Sequence, residues 1–103
     1  MIAYAPAARD GGFVATDGRW TFAGTLTFAD AAAVFAASHA LPLPSSGIVD
    51  LATLEQADSA ALAVMMALSR RAATEGARLK FTSVPQGIFA LAHVYGVDEL
   101  LLG

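Results

Sequence analysis

The sequence reads IVDLATLEQADSAALAVMMAL from residue 48 to residue 68. Its first four residues are mostly apolar and include two β-branched side chains, which predicts a short buried strand. Its last nine residues, 60–68, hold no polar side chain and predict an apolar helix. Asp58 and Ser59 directly precede those nine residues, and both residue types are common N-caps. The segment therefore predicts a strand, a short loop and a capped helix that begins at about Ser59.

A β-hairpin is predicted on the N-terminal side of this segment, around Asp17 and Gly18. An Asp-Gly pair fits a two-residue type I′ turn, because both central residues of that turn need a positive φ. The alternating apolar residues on either side would then share one face of the hairpin, and we assign that face to the core. The predicted cross-strand pairs are Phe13 with Phe22, Ala15 with Trp20, and Thr16 with Arg19.

The other predicted elements alternate between helices and strands. A helix over 28–40 follows Thr27 as its N-cap and ends before Pro42, and the apolar helix runs over 59–75. A strand over 79–83, a helix over 85–95 and a terminal turn over 99–102 with Asp98 as its cap complete the chain. Such alternation predicts an α/β fold in which helices cover a sheet with parallel strand pairs.

Length and composition indicate a single domain. The chain has 103 residues, of which 56% are hydrophobic and 15% are charged, and this excludes a disordered tail. Residues 1–12 end in Asp-Gly-Gly and show no sustained hydrophobic period. We therefore predict a flexible N-terminal lead-in over 1–12 and one domain over 13–103.

Charge, cysteine content and hydropathy exclude several classes of protein. The net charge is −3 with six basic residues and no basic stripe, which argues against nucleic-acid binding. The chain has no cysteine, so disulfides, zinc ribbons and thiol catalysis are excluded. The longest apolar run, 60–68, is much shorter than the ~20 residues of a membrane-spanning helix. Pro6 and Arg9 interrupt the N-terminus where a signal peptide needs an apolar stretch, so a cytoplasmic location is expected.

Signatures of catalysis are also lacking. The sequence has no phosphate-binding glycine loop and no Gly-x-Ser-x-Gly elbow around a serine. His39 and His93 lie on different predicted helices without a partner at metal-ligand spacing. A triad of Ser59, His93 and an aspartate has no specific support. We therefore expect no catalytic residue, no metal site and no cofactor.

The apolar helix offers more hydrophobic surface than one stripe toward the sheet requires. That stripe is predicted to be formed by Leu62, Met66, Ser69 and Ala73. Val64, Met65 and Leu68 would then lie partly outside the stripe. Two interpretations remain: either the surface tolerates many apolar residues, or this side of the helix binds a partner, with Met65 as an adaptable contact. The hydroxyl of Ser59 would lie at a helix N-terminus, where an anion such as phosphate is favoured.

Residues 49–62 resemble the signature of the STAS domain family. In that family a strand that ends in Asp-Leu, here Asp50-Leu51, is followed at this spacing by Asp-Ser or Asp-Thr, two small residues and Leu. The tail, with Val84-Pro85 and residues 91–97, is similar to that of the small STAS subunits of MlaB type in bacterial phospholipid-transport ABC complexes. The resemblance covers about residues 13–102.

The resemblance implies a STAS-like fold with a mixed four- to five-stranded sheet and three to four helices packed mainly on one side. It also implies a non-enzymatic accessory subunit that binds the cytoplasmic ATPase of an ABC transporter, together with its permease, and reaches the inner membrane only through that complex. Ser59 occupies the family's functional position, whereas Ala60 and Ala61 stand where glycine is common. The predicted partner-binding residues are Asp58, Ser59, Ala60, Ala61, Leu62, Val64, Met65 and Leu68.

The resemblance leaves an alternative function open. Anti-sigma-factor antagonists are STAS domains whose serine or threonine is phosphorylated by a partner kinase, and Ser59 would be that residue here. A phosphate would repel Asp58 and disturb an apolar contact, so phosphorylation would release the partner. The apolar face also predicts that the isolated chain can form a homodimer.

Overall fold

In the part of the chain that the structure describes, five strands form one mixed sheet and three helices pack against it. The computed structural model describes residues 2–4 and 11–98 of the chain. The strands are Ile2–Tyr4 (β1), Gly11–Thr16 (β2), Arg19–Leu26 (β3), Ile48–Ala57 (β4) and Lys80–Thr82 (β5). The helices are Ala31–Ser38 (α1), Ser59–Thr74 (α2) and Gln86–Val94 (α3). The strands follow one another in chain order across the sheet, with antiparallel pairs up to β3 and parallel pairs from β3 to β5.

The β2–β3 hairpin confirms the predicted turn and register. Asp17 has φ 52° and Gly18 has φ 79°, so both central residues adopt the positive φ that a type I′ turn requires. The turn thereby places the aromatic side chains of the two strands on one face of the sheet. The pairs are Phe13 with Phe22, Ala15 with Trp20, and Thr16 with Arg19.

One hydrophobic core lies between the sheet and the helices. The rings of Phe13 and Trp20 are 5.2 Å apart, and those of Phe13 and Phe22 are 5.1 Å apart in an edge-to-face arrangement. Buried residues of all three helices belong to the same cluster as those of β2 to β5. The helices therefore lie on one side of the sheet, and the predicted α/β architecture is confirmed. Val34 of α1 and Ile88 of α3 are among these buried residues.

Several strands are longer than predicted, and one was not predicted. Ile2–Tyr4 pairs with β2, and β2 begins at Gly11, so these parts of the predicted lead-in lie in strands. β4 continues to Ala57, through residues that we assigned to a loop. Its register against β3 shifts at two places, and this irregular pairing removes the apolar alternation by which a strand is recognised. The predicted turn over 99–102 lies outside the described residues.

α1 begins later than predicted because a polar cluster holds the preceding residues in a turn. The hydroxyls of Thr25 and Thr27 both donate to the carboxylate of Asp30, over 3.1 and 3.2 Å. The carbonyl of Thr27 accepts from the backbone N–H groups of Asp30 and Ala31. The helix therefore starts at Ala31, with Asp30 as the N-cap.

Arg71 connects α2 to the C-terminal end of α1. Its guanidinium donates to the carbonyls of Ser38 and Leu41, over 3.2 and 2.9 Å, and lies 5.9 Å from the ring centroid of Trp20. The Ser38 carbonyl also accepts from the backbone N–H of Leu41 over 3.1 Å, so Arg71 adds a charged donor at a helix end whose carbonyls have few partners within the helix. Arg71 thereby fixes the position of α2 in the helical layer.

Candidate functional site

The candidate site lies at the N-terminal end of α2, where Asp58 joins two segments of the chain. Its Oδ1 accepts from the backbone N–H of Ala60 over 2.8 Å, so Asp58 is the N-cap of α2 as predicted. Its Oδ2 accepts from the backbone N–H of Phe28 over 2.9 Å. One carboxylate therefore fixes both the start of α2 and the segment that connects β3 to α1.

Ser59 is the first residue of α2, and its side chain is exposed. Within residues 11–98, the structure shows no hydrogen bond of the Ser59 hydroxyl. The hydroxyl lies at the positive end of the helix dipole, beside backbone N–H groups that have no carbonyl partner within the helix. Ser59 is therefore free to bind a polar group of another molecule, while the carboxylate of Asp58 already accepts from the N–H of Ala60 at this helix end.

Phe28, whose backbone N–H donates to Asp58, is an exposed aromatic residue that was not predicted as a functional residue from the sequence. The side chain is 86% exposed, more than any other large hydrophobic side chain in the described part of the protein. The sequence placed Phe28 in the first turn of a helix, whereas the structure places it in the turn before α1. A bulky aromatic residue directly after the turn residue Thr27 was the available signal. Aromatic residues are enriched at protein interfaces, so Phe28 is a candidate contact residue.

The prediction that residues of α2 bind a partner is wrong for most of the residues that it named. These side chains lie in the core, because α2 packs against α1, α3 and the sheet at once. At 3.6 residues per turn, the buried residues of α2 cover an arc of about 160°. The predicted sheet-facing stripe is also wrong, since Met66 and Ser69 are only partly buried and Ala73 is exposed. The exposed fractions of the buried side chains are 1% for Ala61, 2% for Leu62, 3% for Val64, 2% for Met65 and 0% for Leu68.

The opposite side of α2 continues the exposed surface from Ser59. Ala63 follows one turn later and is exposed, and Met66 follows after another turn and is partly exposed. Small residues at the helix start allow another backbone to approach closely, while Met66 adds an adaptable apolar contact. We define the α2 surface by five residues: Phe28, Ser59, Ala60, Ala63 and Met66.

The two histidines do not form a catalytic arrangement with Ser59. His93 Nδ1 lies 3.1 Å from Asp98 Oδ2, at the C-terminal end of α3. His39 Nδ1 lies 3.1 Å from the carbonyl oxygen of Phe35 at the end of α1. No group of three or more potential metal-ligating side chains occurs in residues 11–98.

The family of the chain follows from a comparison with family models. The model described as "Mlab, STAS domain" matches residues 10–103, which is most of the sequence. The chain belongs to the STAS domain family, and its domain is of the MlaB type. The mixed sheet with helices on one face agrees with the fold that the resemblance implied. STAS domains are generally non-catalytic accessory or regulatory domains.

Two further findings concern related proteins and membrane-spanning helices. No curated protein matches the sequence. Within the described ranges, no helix has the length and hydropathy needed to cross a bilayer, and the longest, α2, has 16 residues.

Proposed function

We propose that the chain is a non-enzymatic accessory subunit of a phospholipid-transport ABC transporter and binds the transporter's cytoplasmic ATPase through the α2 surface. It would be located in the cytoplasm, at the inner membrane only through this complex, and would need no cofactor. The match to the MlaB-type STAS domain supports an accessory role, and the α2 surface supplies a site for protein contact.

The hydrogen bond between Asp58 and the backbone of Phe28 is the observation that carries this proposal. It holds the backbone of Phe28, whose side chain is 86% exposed, against Asp58, the residue that precedes the exposed Ser59. Exposing this ring to water brings no benefit to folding, whereas burying it against a partner gains roughly 1.5–3 kcal/mol. Aromatic residues, phenylalanine among them, are enriched at protein interfaces relative to the rest of the surface.

The chemistry of the α2 surface defines the matching surface on the partner. Ser59 offers a hydroxyl that can donate and accept, Ala60 and Ala63 offer little bulk, and Phe28 and Met66 offer apolar contact. A partner helix that presents a groove for Phe28 and a polar group for Ser59 would satisfy these requirements. None of the five residues is charged, so binding through this surface would depend only weakly on salt.

Substitution of Ser59 by arginine tests this proposal. Ser59→Arg adds a long cation to the centre of the α2 surface and should weaken binding to the purified ATPase subunit by about tenfold or more. Unfavourable interaction with the helix dipole should lower the free energy of unfolding by no more than about 1 kcal/mol. Isothermal titration calorimetry measures the affinity, and thermal unfolding measures the stability.

Ala73→Arg is the matched control, because Ala73 is also exposed on α2 but lies near its C-terminal end. This variant adds the same side chain and should bind the ATPase like the unmodified protein. Equal affinities for Ser59→Arg and the unmodified protein would refute docking through Ser59. Equal losses in both variants would show that added charge, and not position, weakens binding.

A phosphorylation switch is the second candidate function, and the exposed hydroxyl of Ser59 favours it. Phosphorylation would add about −1.5 to −2 charges beside the carboxylate of Asp58. This charge would repel Asp58 and loosen its bond to Phe28, so the α2 surface would be disrupted. Intact-mass spectrometry of the protein from its own cells should then reveal a species about 80 Da heavier. Its absence under all growth conditions would argue against this function.

A further inference from the structure

Most of β4 has a free edge. β5 pairs only with Ile48–Asp50, while β3 pairs with β4 as far as Ala57. After β5 the chain turns away from the sheet at Ser83, which has φ 57°. Within the described residues, the backbone from 51 to 57 therefore has a neighbouring strand on one side only. Such an edge offers unpaired N–H and C=O groups to another extended chain.

A cleft of about 350 Å³ follows this edge. One wall consists of the six consecutive residues 54–59, and the other consists of Pro85 and one side of α3. Residues 54–57 are the C-terminal part of the β4 edge that lacks a second neighbouring strand, and this wall continues through the N-cap Asp58 to Ser59, the first residue of α2. The cleft therefore has the form of a groove between a strand edge and a helix.

The lining of the cleft indicates which segment would fit. Ile88 and Leu91 of α3 and Leu54 of β4 supply apolar contact. Glu55 and Asp58 are the only charged residues among those that line the cleft, and both are acidic. An extended segment with apolar side chains on one face and lysine or arginine on the other matches this distribution.

We propose that the free edge of β4 binds an extended, cationic segment of a partner protein, which adds a strand to the sheet beside α3. Backbone hydrogen bonds to the strand edge provide the register, and alternate side chains contact the apolar and acidic parts of the cleft. This site goes beyond docking through the α2 surface. Its test needs no ATPase, so the two proposals can fail separately.

A titration with a short synthetic peptide tests the proposal. The probe is a capped hexapeptide of alternating valine and lysine, acetyl-VKVKVK-amide, added to the full ¹⁵N-labelled chain. Chemical shift changes should be confined to the amides of 54–59 and 86–91. The same peptide with glutamate in place of lysine, or with methylated backbone nitrogens, should bind more weakly by about tenfold or more. Equal binding of the glutamate peptide would refute the charge assignment.

Gly87 provides a variant that fills the cleft without disturbing the fold. A Cβ atom at this position would meet no atom within 4 Å, and Gly87 lines the cleft. Gly87→Leu should therefore fold, since leucine also favours a helix over glycine, and should weaken peptide binding by about tenfold or more. Ala90→Leu adds the same side chain at an exposed position of α3 away from the cleft and should bind normally.

Hydrogen exchange of the free protein identifies a competing occupant. Amides of 51–57 that point toward the cleft should exchange rapidly before the peptide is added and become protected afterwards. Protection in the free, dilute protein would mean that the chain already covers its own edge and would overturn the proposal. Protection that rises with protein concentration would assign the edge to a second copy. The absence of any chemical shift change at millimolar peptide concentrations would also overturn the proposal.

Discussion

The two sides of α2 carry neighbouring residues of the same type in different environments. Met65 is buried and Met66 is partly exposed, while Arg71 is partly buried against Trp20 and Arg70 is exposed. The buried side holds the helical layer together, and the exposed side continues from Ser59 as the proposed binding surface. The residue type alone therefore does not assign a role on this helix, because a rotation of 100° separates the core from the surface.

The largest difference in stability is expected between the alanine variants of the two methionines. Met65→Ala removes a side chain that is 2% exposed and leaves a cavity in the core, so the free energy of unfolding should fall by about 2–5 kcal/mol. Met66→Ala should lower it much less, because Met66 is partly exposed. Denaturant unfolding of both variants measures the difference. Equal losses would contradict the assignment of Met65 to the core and Met66 to the surface.

The methionine variants of the two arginines should differ in stability by a smaller amount. Arg71→Met leaves the carbonyls of Ser38 and Leu41 without their charged donor, which should lower the free energy of unfolding by about 2 kcal/mol. The bond between Arg71 and Glu75 adds little to this loss, because Glu75 is half-exposed. Arg70→Met should change stability by less than about 0.5 kcal/mol. A comparable loss in both variants would show that the contact of α2 with α1 does not depend on Arg71.

Asp58 lies where the buried and exposed sides of α2 meet. Asp58→Ala removes the N-cap and the acceptor for Phe28, so the free energy of unfolding should fall by about 1 kcal/mol. Asp58→Asn keeps one acceptor oxygen and a good N-cap, and should restore most of the stability. In nuclear magnetic resonance spectra, the alanine variant should also shift the amide resonance of Phe28. An unchanged Phe28 resonance would contradict the link between the two segments.

Local sequence signals predicted the hairpin down to its register. Asp17 and Gly18 fix the turn type by their own backbone preferences, and the turn type fixes the pairing. The N-cap at Asp58 was predictable for the same reason. The strand Ile2–Tyr4 could not be predicted, because three residues carry no recognisable hydrophobic period and their pairing with β2 is non-local.

The sequence does not reveal which side of α2 is buried and which is exposed. After Ser59, its first half consists of alanine, leucine, valine and methionine, which satisfy a core and a surface equally well by composition. Only the packing of α2 between α1 and α3 determines that Met65 is buried. Phe28 was missed because its role depends on a bond to Asp58, thirty residues further along the chain.

The affinity of the Phe28→Ser variant for the ATPase subunit tests the central claim most directly. Phe28 is almost fully exposed, so its replacement should change the free energy of unfolding by less than about 0.5 kcal/mol. The dissociation constant should nevertheless rise by about tenfold or more, because the anchor of the α2 surface is lost. Val94→Ser, at another exposed apolar residue, is the control and should leave the affinity unchanged. An unchanged affinity of Phe28→Ser would contradict binding through the α2 surface.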